Sequence, residues 1–424
     1  MIRRVLGVLL LLGVVGGSGH AQQRDEPLRF RVSDPNQVLY RLAVGGVIGF
    51  GDLRQVADTL ANDLAMAGLF KLLDPSSYPP GLASELPQST NVADWSQVGA
   101  QGVIKAKVSG KQVEFWLWEV SKGNFPALQK VYADEDLRHA THRFANEVVR
   151  YFTGEDGIFD SRIAFAAGRG SDLEIYSVDF DGSNQRRVSN MGATSILPRW
   201  SPGGRELAFT SFLRGNPDLW IVSAGGGRAR RVSKWPGLNS GASFSPDGGK
   251  IALTLSKDGN AEIYVLRNDG SILSRLTSDP GIDTSPTWSP DGSQIAFVSN
   301  RRGNPQVWVM SASGGGQTRL TYQGSYNTTP AWSPRADRPL VAFTGRDEKN
   351  RFDIFVIDPR SKEVGRVTQG SGSNESPTWS PDGRLLAYTS SRGGLWVMNL
   401  QTHFERQIYS RMARDPSWGP RGSR

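Results

Sequence analysis

Residues 285–310 read SPTWSPDGSQIAFVSNRRGNPQVWVM, and this stretch contains the unit that decides the fold. An aromatic residue, a small residue and a proline stand together at Trp288-Ser289-Pro290, and the same kind of triplet recurs along the chain. The six aromatic residues lie 44, 44, 44, 47 and 39 residues apart, at Trp200, Phe244, Trp288, Trp332, Trp379 and Trp418. A period in this range is typical of β-propeller blades.

Each repeat contains four runs with strand character, which we label A to D. In the quoted copy, run A is 286–288, run B is 294–298 and run C is 306–310. These runs are rich in β-branched and aromatic residues, which suit half-buried strands. Pro290-Asp291-Gly292 separates A from B and predicts a tight turn. Run D follows at 318–321 and is shorter and more polar, as an outer edge strand should be.

The repeats are out of phase at the two ends. The first run B, at Ile163, has no run A before it, and the last run A, at Trp418, has no run B after it. A closed ring lets these two ends meet in one blade and removes exposed strand edges. The sequence therefore predicts a six-bladed all-β propeller over 160–420, with one blade built from the strand near Trp418 and the strands from Ile163 onward.

The N-terminal part has a different pattern. Residues 1–21 are typical of a secretory signal, with Arg3 and Arg4 before an apolar run at 5–15, and cleavage is expected after Ala21. A retained membrane anchor is the alternative, but the run is short for a bilayer-spanning helix. No cysteine follows it, and the sequence contains none at all. We expect no transmembrane segment after removal of the signal.

Residues 22–155 predict a separate α+β domain. Residues 39–48, 70–73, 102–108 and 112–120 have strand character. Apolar residues recur at helical spacing from Leu53 to Ala67, and again from Leu137 to Tyr151. The second helix should end near Gly154, and residues 154–160 would link this domain to the propeller.

These features together resemble the TolB family, the periplasmic component of the bacterial Tol–Pal envelope system. The resemblance covers the export signal, the α+β domain and the Trp-Ser-Pro-Asp-Gly, Ile-Ala-Phe and Trp-Val-Met phrases of the blades. In the N-terminal domain it rests on Asp58, Leu60, Asp63, Leu64, Gly68, Leu69 and Phe70, and then on Thr153-Gly154 and Gly157-Ile158-Phe159.

The resemblance implies a non-catalytic periplasmic scaffold that serves outer-membrane integrity and cell division. It implies binding of a Pal-like peptidoglycan-associated lipoprotein at the propeller face. A TolA-like inner-membrane protein would bind the N-terminal segment, for which 22–35 is a candidate by position. Other outer-membrane proteins are further possible partners.

The loops that lead into run A are the predicted partner-binding region, since they are polar and meet at one mouth of the channel. The candidate residues are Leu238, Asn239, Ser240, Gly241, Asp283, Thr284, Asn327, Thr328, Asn374 and Glu375. Positions comparable to Leu238, Gly241 and Thr284 belong to that face in the family. Leu238 departs from the family pattern, in which we expect a histidine.

Other repeated residues are expected to be structural. The run A aromatics should pack between blades, and the aspartates of the Pro-Asp-Gly turns should hold those turns. The arginine that recurs in run D should cover an outer edge or pair with a carboxylate. His139 and His142 lie close enough on a helix for a metal, but no third ligand is near them in the sequence. We expect no metal and no cofactor.

Composition and motifs argue against nucleic-acid binding and against catalysis. The 49 basic residues are scattered among 41 acidic ones, so the net charge of +8 forms no stripe for nucleic acid. No Gly-x-Ser-x-Gly nucleophile motif occurs, so we expect no catalysis. The alternative to a scaffold is a periplasmic propeller that binds a solute or glycan and shares the blade motif alone.

Overall fold

The computed structural model describes residues 39–347, 349–369 and 372–422. The expected signal peptide and the segment 22–35 lie outside the described residues. The described chain forms an α+β domain followed by a six-bladed β-propeller, which confirms the predicted fold class.

The N-terminal domain is a five-stranded sheet with two long helices packed on one face. The strands are β1 (Tyr40–Phe50), β2 (Phe70–Leu72), β3 (Gly102–Ser109), β4 (Gln112–Glu119) and β5 (Leu128–Ala133), in the order β2-β1-β3-β4-β5. The helices are α1 (Leu53–Met66), the short α2 (Val92–Gln97) and α3 (Leu137–Thr153). Strand β1 runs parallel to β2 and β3, while β3, β4 and β5 are antiparallel neighbours.

Local sequence explains where the two long helices begin and end. The side chain of Asp52 accepts a hydrogen bond from Gln55 N at 2.9 Å and caps α1. Asp136 caps α3 in the same way, and Gly154 ends α3 in the left-handed conformation that glycine adopts without a Cβ clash. Phe144 of α3 stacks on Phe115 of β4, with ring centroids 4.5 Å apart. The apolar helix faces therefore cover one face of the sheet.

Each propeller blade is an antiparallel four-stranded sheet, and run A forms its innermost strand. Blade one is β9 (Ser195–Trp200), β10 (Glu206–Ser211), β11 (Asp218–Ser223) and β12 (Arg230–Ser233). Blade two is β13 (Asn239–Phe244), β14 (Lys250–Leu255), β15 (Glu262–Arg267) and β16 (Ile272–Arg275). Blade three is β17 (Asp283–Trp288), β18 (Gln294–Ser299), β19 (Gln306–Ser311) and β20 (Thr318–Arg319). Blade four is β21 (Asn327–Trp332), β22 (Val341–Arg346), β23 (Phe352–Ile357) and β24 (Val364–Arg366). Blade five is β25 (Asn374–Trp379), β26 (Leu385–Ser390), β27 (Leu395–Asn399) and β28 (Glu405–Tyr409).

Blade six joins the two ends of the propeller region. Strand β29 (Arg414–Trp418) pairs with β6 (Arg162–Arg169), and β7 (Asp172–Asp179) and β8 (Arg186–Arg187) complete the sheet. In this pairing Trp418 lies opposite Ile163 and Ser417 lies opposite Ala164. The ring is therefore closed by hydrogen bonds between segments about 250 residues apart in sequence.

The repeated aromatic residues lie between blades, which confirms the packing role predicted for them. The Nε1 atoms of Trp200, Trp288 and Trp379 donate to the backbone oxygens of Ser417, Ser243 and Ala331 at 3.1, 3.2 and 2.9 Å. Each acceptor belongs to the innermost strand of the preceding blade. The indoles thus bury apolar area and also hold adjacent blades in register.

The two domains share one hydrophobic core. A single cluster of buried side chains contains Leu60 and Phe152 of the N-terminal domain together with Phe165, Phe180 and Trp418 of the propeller. Such a shared apolar core favours a fixed arrangement of the two domains.

Candidate functional site: the loop face and the central channel

The connections from D to A and from B to C emerge at the same end of every blade. In blade one, Ser195 at the start of β9 pairs with Ser211 at the end of β10, and Ser211 pairs with Asp218 at the start of β11. Ser233 at the end of β12 pairs with the neighbouring Leu219. We call the surface formed by these D–A and B–C connections the loop face.

The N-terminal domain contacts the opposite end of the propeller. Asn399, after which β27 turns toward β28, donates from Nδ2 to Met66 O at 3.0 Å. Arg335 and Arg384, in two A–B connections, each lie 3.2 Å from Glu155 Oε2. The loop face and the N-terminal domain are therefore at opposite ends of the ring.

Five of the ten predicted contact residues are buried, namely Ser240 and four others that lie inside the blades. These four are the first residues of their innermost strands, namely Asn239, Asp283, Asn327 and Asn374. Asn239 Oδ1 accepts from Ser233 Oγ at 2.6 Å, which ties strand A to the end of strand D in the preceding blade. Asn327 Nδ2 donates to Gln306 Oε1 at 2.8 Å, at the start of strand C in the preceding blade. These amides hold neighbouring blades together, so we do not carry them forward as contact residues.

Asp283 is the charged member of this set. Its Oδ2 lies 2.6 Å from Arg301 Nη2. Burial raises the pKa of Asp283, while hydrogen bonding to Ser299 and the positive charge of Arg301 oppose that rise. The negative charge of Asp283 is thus paired with Arg301 of the same blade, and this arrangement points to a structural role.

The other six predicted residues have different degrees of exposure on the loop face. Ser240 is buried, and its Oγ accepts from Thr210 Oγ1 of blade one at 3.2 Å. Leu238, Gly241, Thr284 and Thr328 are half-buried, while Glu375 is exposed. The half-buried and exposed members remain predicted partner contacts.

The sequence interpretation missed a set of exposed apolar side chains in the same loops. The set consists of Phe212, Leu213, Trp235, Ile282, Tyr322 and Met412. Trp235 and Tyr322 are 42% and 63% exposed, although aromatic side chains gain most from burial. Lys257 lies over the Trp235 ring at 5.4 Å and Arg319 over the Tyr322 ring at 5.1 Å. Exposed Trp and Tyr beside basic groups are the residue types that dominate binding energy at protein interfaces.

The innermost strands enclose a central channel with a cavity of about 390 Å³. Each of these strands has a bulge, and the residue three places before the aromatic has a positive φ. The six residues are Leu197, Gly241, Ser285, Thr329, Ser376 and Asp415, with φ between 49° and 66°. Five of the six are not glycine, so the chain accepts backbone strain at five of the six blades to turn these residues toward the channel.

Two charged residues, Arg199 and Asp415, line this channel. Burial lowers the pKa of Arg199, and the negative charge of Asp415 opposes this shift. Burial likewise raises the pKa of Asp415, and the charge of Arg199 opposes that shift. The channel therefore contains one guanidinium and one carboxyl group on adjacent blades.

A second group of charged side chains lies at the junction of the domains. His142 Nδ1 is 2.7 Å from Asp63 Oδ2, and its Nε2 is 3.7 Å from Asp181 Oδ2 in the propeller. Arg138 Nη1 lies 2.8 Å from the same Asp181 atom. Burial raises the pKa of Asp63, whereas the charges of His142 and Arg138 and the bonds from Ser183 outweigh burial and lower the pKa of Asp181. This cluster joins α1, α3 and the propeller and is remote from the loop face.

The side chains that could serve as metal ligands are bonded to other protein groups. His139 Nδ1 lies 2.7 Å from Asp134 Oδ2, while His142 belongs to the buried cluster. Asp291 accepts from Ser289 Oγ at 2.6 Å and from Ser293 N at 3.0 Å, as a turn residue does. Within the described ranges no group of three His, Cys, Asp or Glu side chains could hold a metal. The same part of the chain contains no helix long and apolar enough to span a membrane.

Fold and site together define a propeller protein with an attached α+β domain and a loop face that carries exposed aromatic side chains. Two family models match the chain: the TolB beta propeller domain at residues 149–422 and the TolB amino-terminal domain at residues 32–125. The chain belongs to the TolB family.

Relatives and solved structures agree with this assignment. A Tol-Pal system protein TolB from Anaeromyxobacter dehalogenans is 39% identical over 231 residues, which is 52% of each chain. One from Desulfosudis oleivorans is 38% identical over 177 residues, 39% of each chain. The chain thus spans about half, or less, of the length of these curated relatives. The crystal structure of TolB from Acinetobacter baumannii shares the fold, with a TM-score of 0.77 and 24% identity over 90% of this chain and 97% of that chain.

Proposed function

We propose that this protein is a non-catalytic periplasmic scaffold of the Tol–Pal system. It binds a Pal-like peptidoglycan-associated lipoprotein at the loop face and a TolA-like inner-membrane protein through residues 22–35. In this role it supports outer-membrane integrity and cell division. Membership of the TolB family and the names of the curated relatives support the proposal.

The observation that carries the proposal is the exposed aromatic and apolar set on the loop face. Trp235, Ile282 and Tyr322 lie in D–A connections of three successive blades, so they form an arc around the channel mouth. Thr284 and Thr328 lie beside that arc and supply hydroxyl groups. Such an apolar centre with polar neighbours is the anatomy of a specific protein interface.

The position of the N-terminal domain also supports two partners. Its contacts are with the end of the ring opposite the loop face, through Asn399, Arg335 and Arg384. A lipoprotein on the loop face would therefore leave the N-terminal domain accessible to a second protein.

Binding between the purified protein and the periplasmic domain of the Pal-like lipoprotein from the same organism tests the proposal. Trp235→Ser and Tyr322→Ser should each weaken binding by about 2 kcal/mol, the scale of an interface hot spot. Phe125→Ser is the matched control, since Phe125 is an exposed aromatic on the N-terminal domain, 84% exposed. The proposal fails if the lipoprotein does not bind, or if all three variants bind as the parent protein does.

A further inference from the structure

The residue immediately before each repeated aromatic forms one ring around the channel. Blades one to six contribute Arg199, Ser243, Thr287, Ala331, Thr378 and Ser417 in that order. The first five line the cavity. This ring therefore has one cation and four hydroxyl groups and contains no carboxylate.

Arg199 forms no ion pair in the described part of the chain, where no carboxylate oxygen lies within 4 Å of it, and the charge of Asp415 acts on it from a greater distance. Its Nη1 donates to Pro198 O at 2.8 Å, which leaves most of its five N–H donors for other partners. Asp415 belongs to the ring two residues nearer the loop face, and its Oδ2 accepts from Leu197 N at 3.4 Å. Arg199 is half-buried, and a partly desolvated guanidinium without an ion-pair partner gains free energy when an anion binds.

The shape of the ring leaves room for such an anion. Blade four is diametrically opposite blade one, and its ring residue is Ala331, the smallest of the six. The hydroxyl groups of Ser243 on blade two and Thr287 on blade three make no hydrogen bond within residues 39–347, 349–369 and 372–422. These hydroxyl groups and the guanidinium are all donors, and a planar carboxylate accepts bonds from both.

We propose that the ring around Arg199 binds a carboxylate, with the guanidinium as its bidentate partner and the hydroxyl groups of Ser243 and Thr287 as additional donors. The carboxylate can come from a small organic acid or from an acidic side chain on a loop of a protein partner. Arg199 is four residues into β9, about 13 Å from the loop face at the rise of a strand. A protein would therefore have to insert a loop, whereas a flat surface could not reach the ring. The small-acid case goes beyond the proposed function and does not depend on it.

The test uses the protein from residue 22 onward and titrates it with glutarate by calorimetry, with tryptophan fluorescence as a second readout because Trp200 adjoins the ring. We expect Arg199→Gln to weaken glutarate binding about ten- to a hundredfold, the range of a charge-assisted hydrogen bond. Arg199→Lys should recover part of the affinity, because lysine keeps the positive charge but lacks the two parallel N–H donors of the guanidinium. Arg228→Gln, at an exposed arginine of the same blade, should bind as the parent protein does. Equal thermal melting of all variants shows that they are folded.

A second arm measures binding of the Pal-like lipoprotein to the same variants. Loss of lipoprotein affinity in Arg199→Gln but not in Arg228→Gln supports a protein source for the carboxylate, even when glutarate does not bind. Glutarate binding that depends on Arg199 supports the inference even when no lipoprotein binds, in which case the proposed function fails alone. The inference is overturned if Arg199→Gln changes neither affinity, and the proposed function then stands whenever the Trp235 and Tyr322 variants still lose the lipoprotein.

Discussion

Replacement of Trp418 by alanine should destabilise the whole ring, although Trp418 lies near one end of the described chain. Its side chain is 7% exposed, and its Nε1 donates to Ser161 Oγ at 2.8 Å. Its backbone N donates to Thr378 Oγ1 of blade five at 3.0 Å. The residue therefore connects the last blade strand, the segment before the first strand of blade six and the neighbouring blade.

The size of the effect follows from these contacts. Truncation of a buried tryptophan to alanine costs about 3–5 kcal/mol, and loss of the hydrogen bond to Ser161 adds about 1 kcal/mol. The total is a large part of a typical unfolding free energy of about 5–15 kcal/mol. Trp332→Ala is the matched control, because Trp332 is 8% exposed but its indole N–H is buried without a hydrogen bond in the described structure. We expect Trp332→Ala to lower the free energy of unfolding by about 1–2 kcal/mol less than Trp418→Ala does, since it breaks no hydrogen bond and removes one unsatisfied donor.

Urea unfolding and amide hydrogen exchange together measure this prediction. In Trp418→Ala, exchange should rise in β29 and equally in β6, because the two strands are joined by hydrogen bonds rather than by the chain. In Trp332→Ala, the rise should centre on blade four. The reasoning is refuted if the Trp418 variant unfolds within 0.5 kcal/mol of the parent protein, or if faster exchange is confined to β29.

Three further predictions concern the junction of the domains. Gly68→Ala should lose about 1–3 kcal/mol of stability in thermal melting, because φ is +68° and the added Cβ would lie 2.3 Å from Asn399 Nδ2. The control Gly154→Ala should lose less in that experiment, because φ is similar at +74° but no atom lies near the added Cβ. Asp181→Asn should reduce the acid sensitivity of folding, since the pKa of Asp181 is lowered in the folded state. Its stabilising effect is present above the unfolded pKa of about 4 and is lost as pH falls through the lowered pKa of the folded state. Urea midpoints of parent and variant should therefore converge as pH falls below about 4, and a constant gap would contradict this. Glu155→Gln should change the free energy of unfolding by less than about 1 kcal/mol, because the Glu155 side chain is 41% exposed beside Arg335 and Arg384. A larger loss in urea unfolding would show that these ion pairs hold the domains together.

Most of the fold was predictable because the blade pattern is local and repeated. Strand alternation, Pro-Asp-Gly turns and the spacing of the aromatics predicted the blades, and the structure confirms six of them. In the N-terminal domain the interpretation missed β5 (Leu128–Ala133). Two of its apolar residues, Leu128 and Val131, face opposite sides of an edge strand, so the segment has no continuous apolar pattern. Pairing with β4 makes it a strand.

The candidate site was less predictable. Loops that precede run A were correctly expected to share one end of the ring, since that follows from antiparallel strands. The sequence did not show that the first residue of run A, such as Asn239, turns inward to meet the end of a strand D. Nor did the sequence distinguish Trp235 and Tyr322, which stay exposed in loops, from the buried aromatics of the strands, because the same residue types occur in both places.

The sequence by itself determined the number of blades, because each blade repeats the same short-range pattern. It also determined how the ring should close, because the unmatched run B at Ile163 and the unmatched run A at Trp418 can complete one blade by pairing with each other. Tertiary structure alone decided which charged groups share the channel and which meet between the domains. Arg199 and Asp415 are more than 200 residues apart in sequence, and Asp63 and His142 are 79 apart. Their proximity depends on ring closure and domain packing, and no local pattern in the chain encodes either pair.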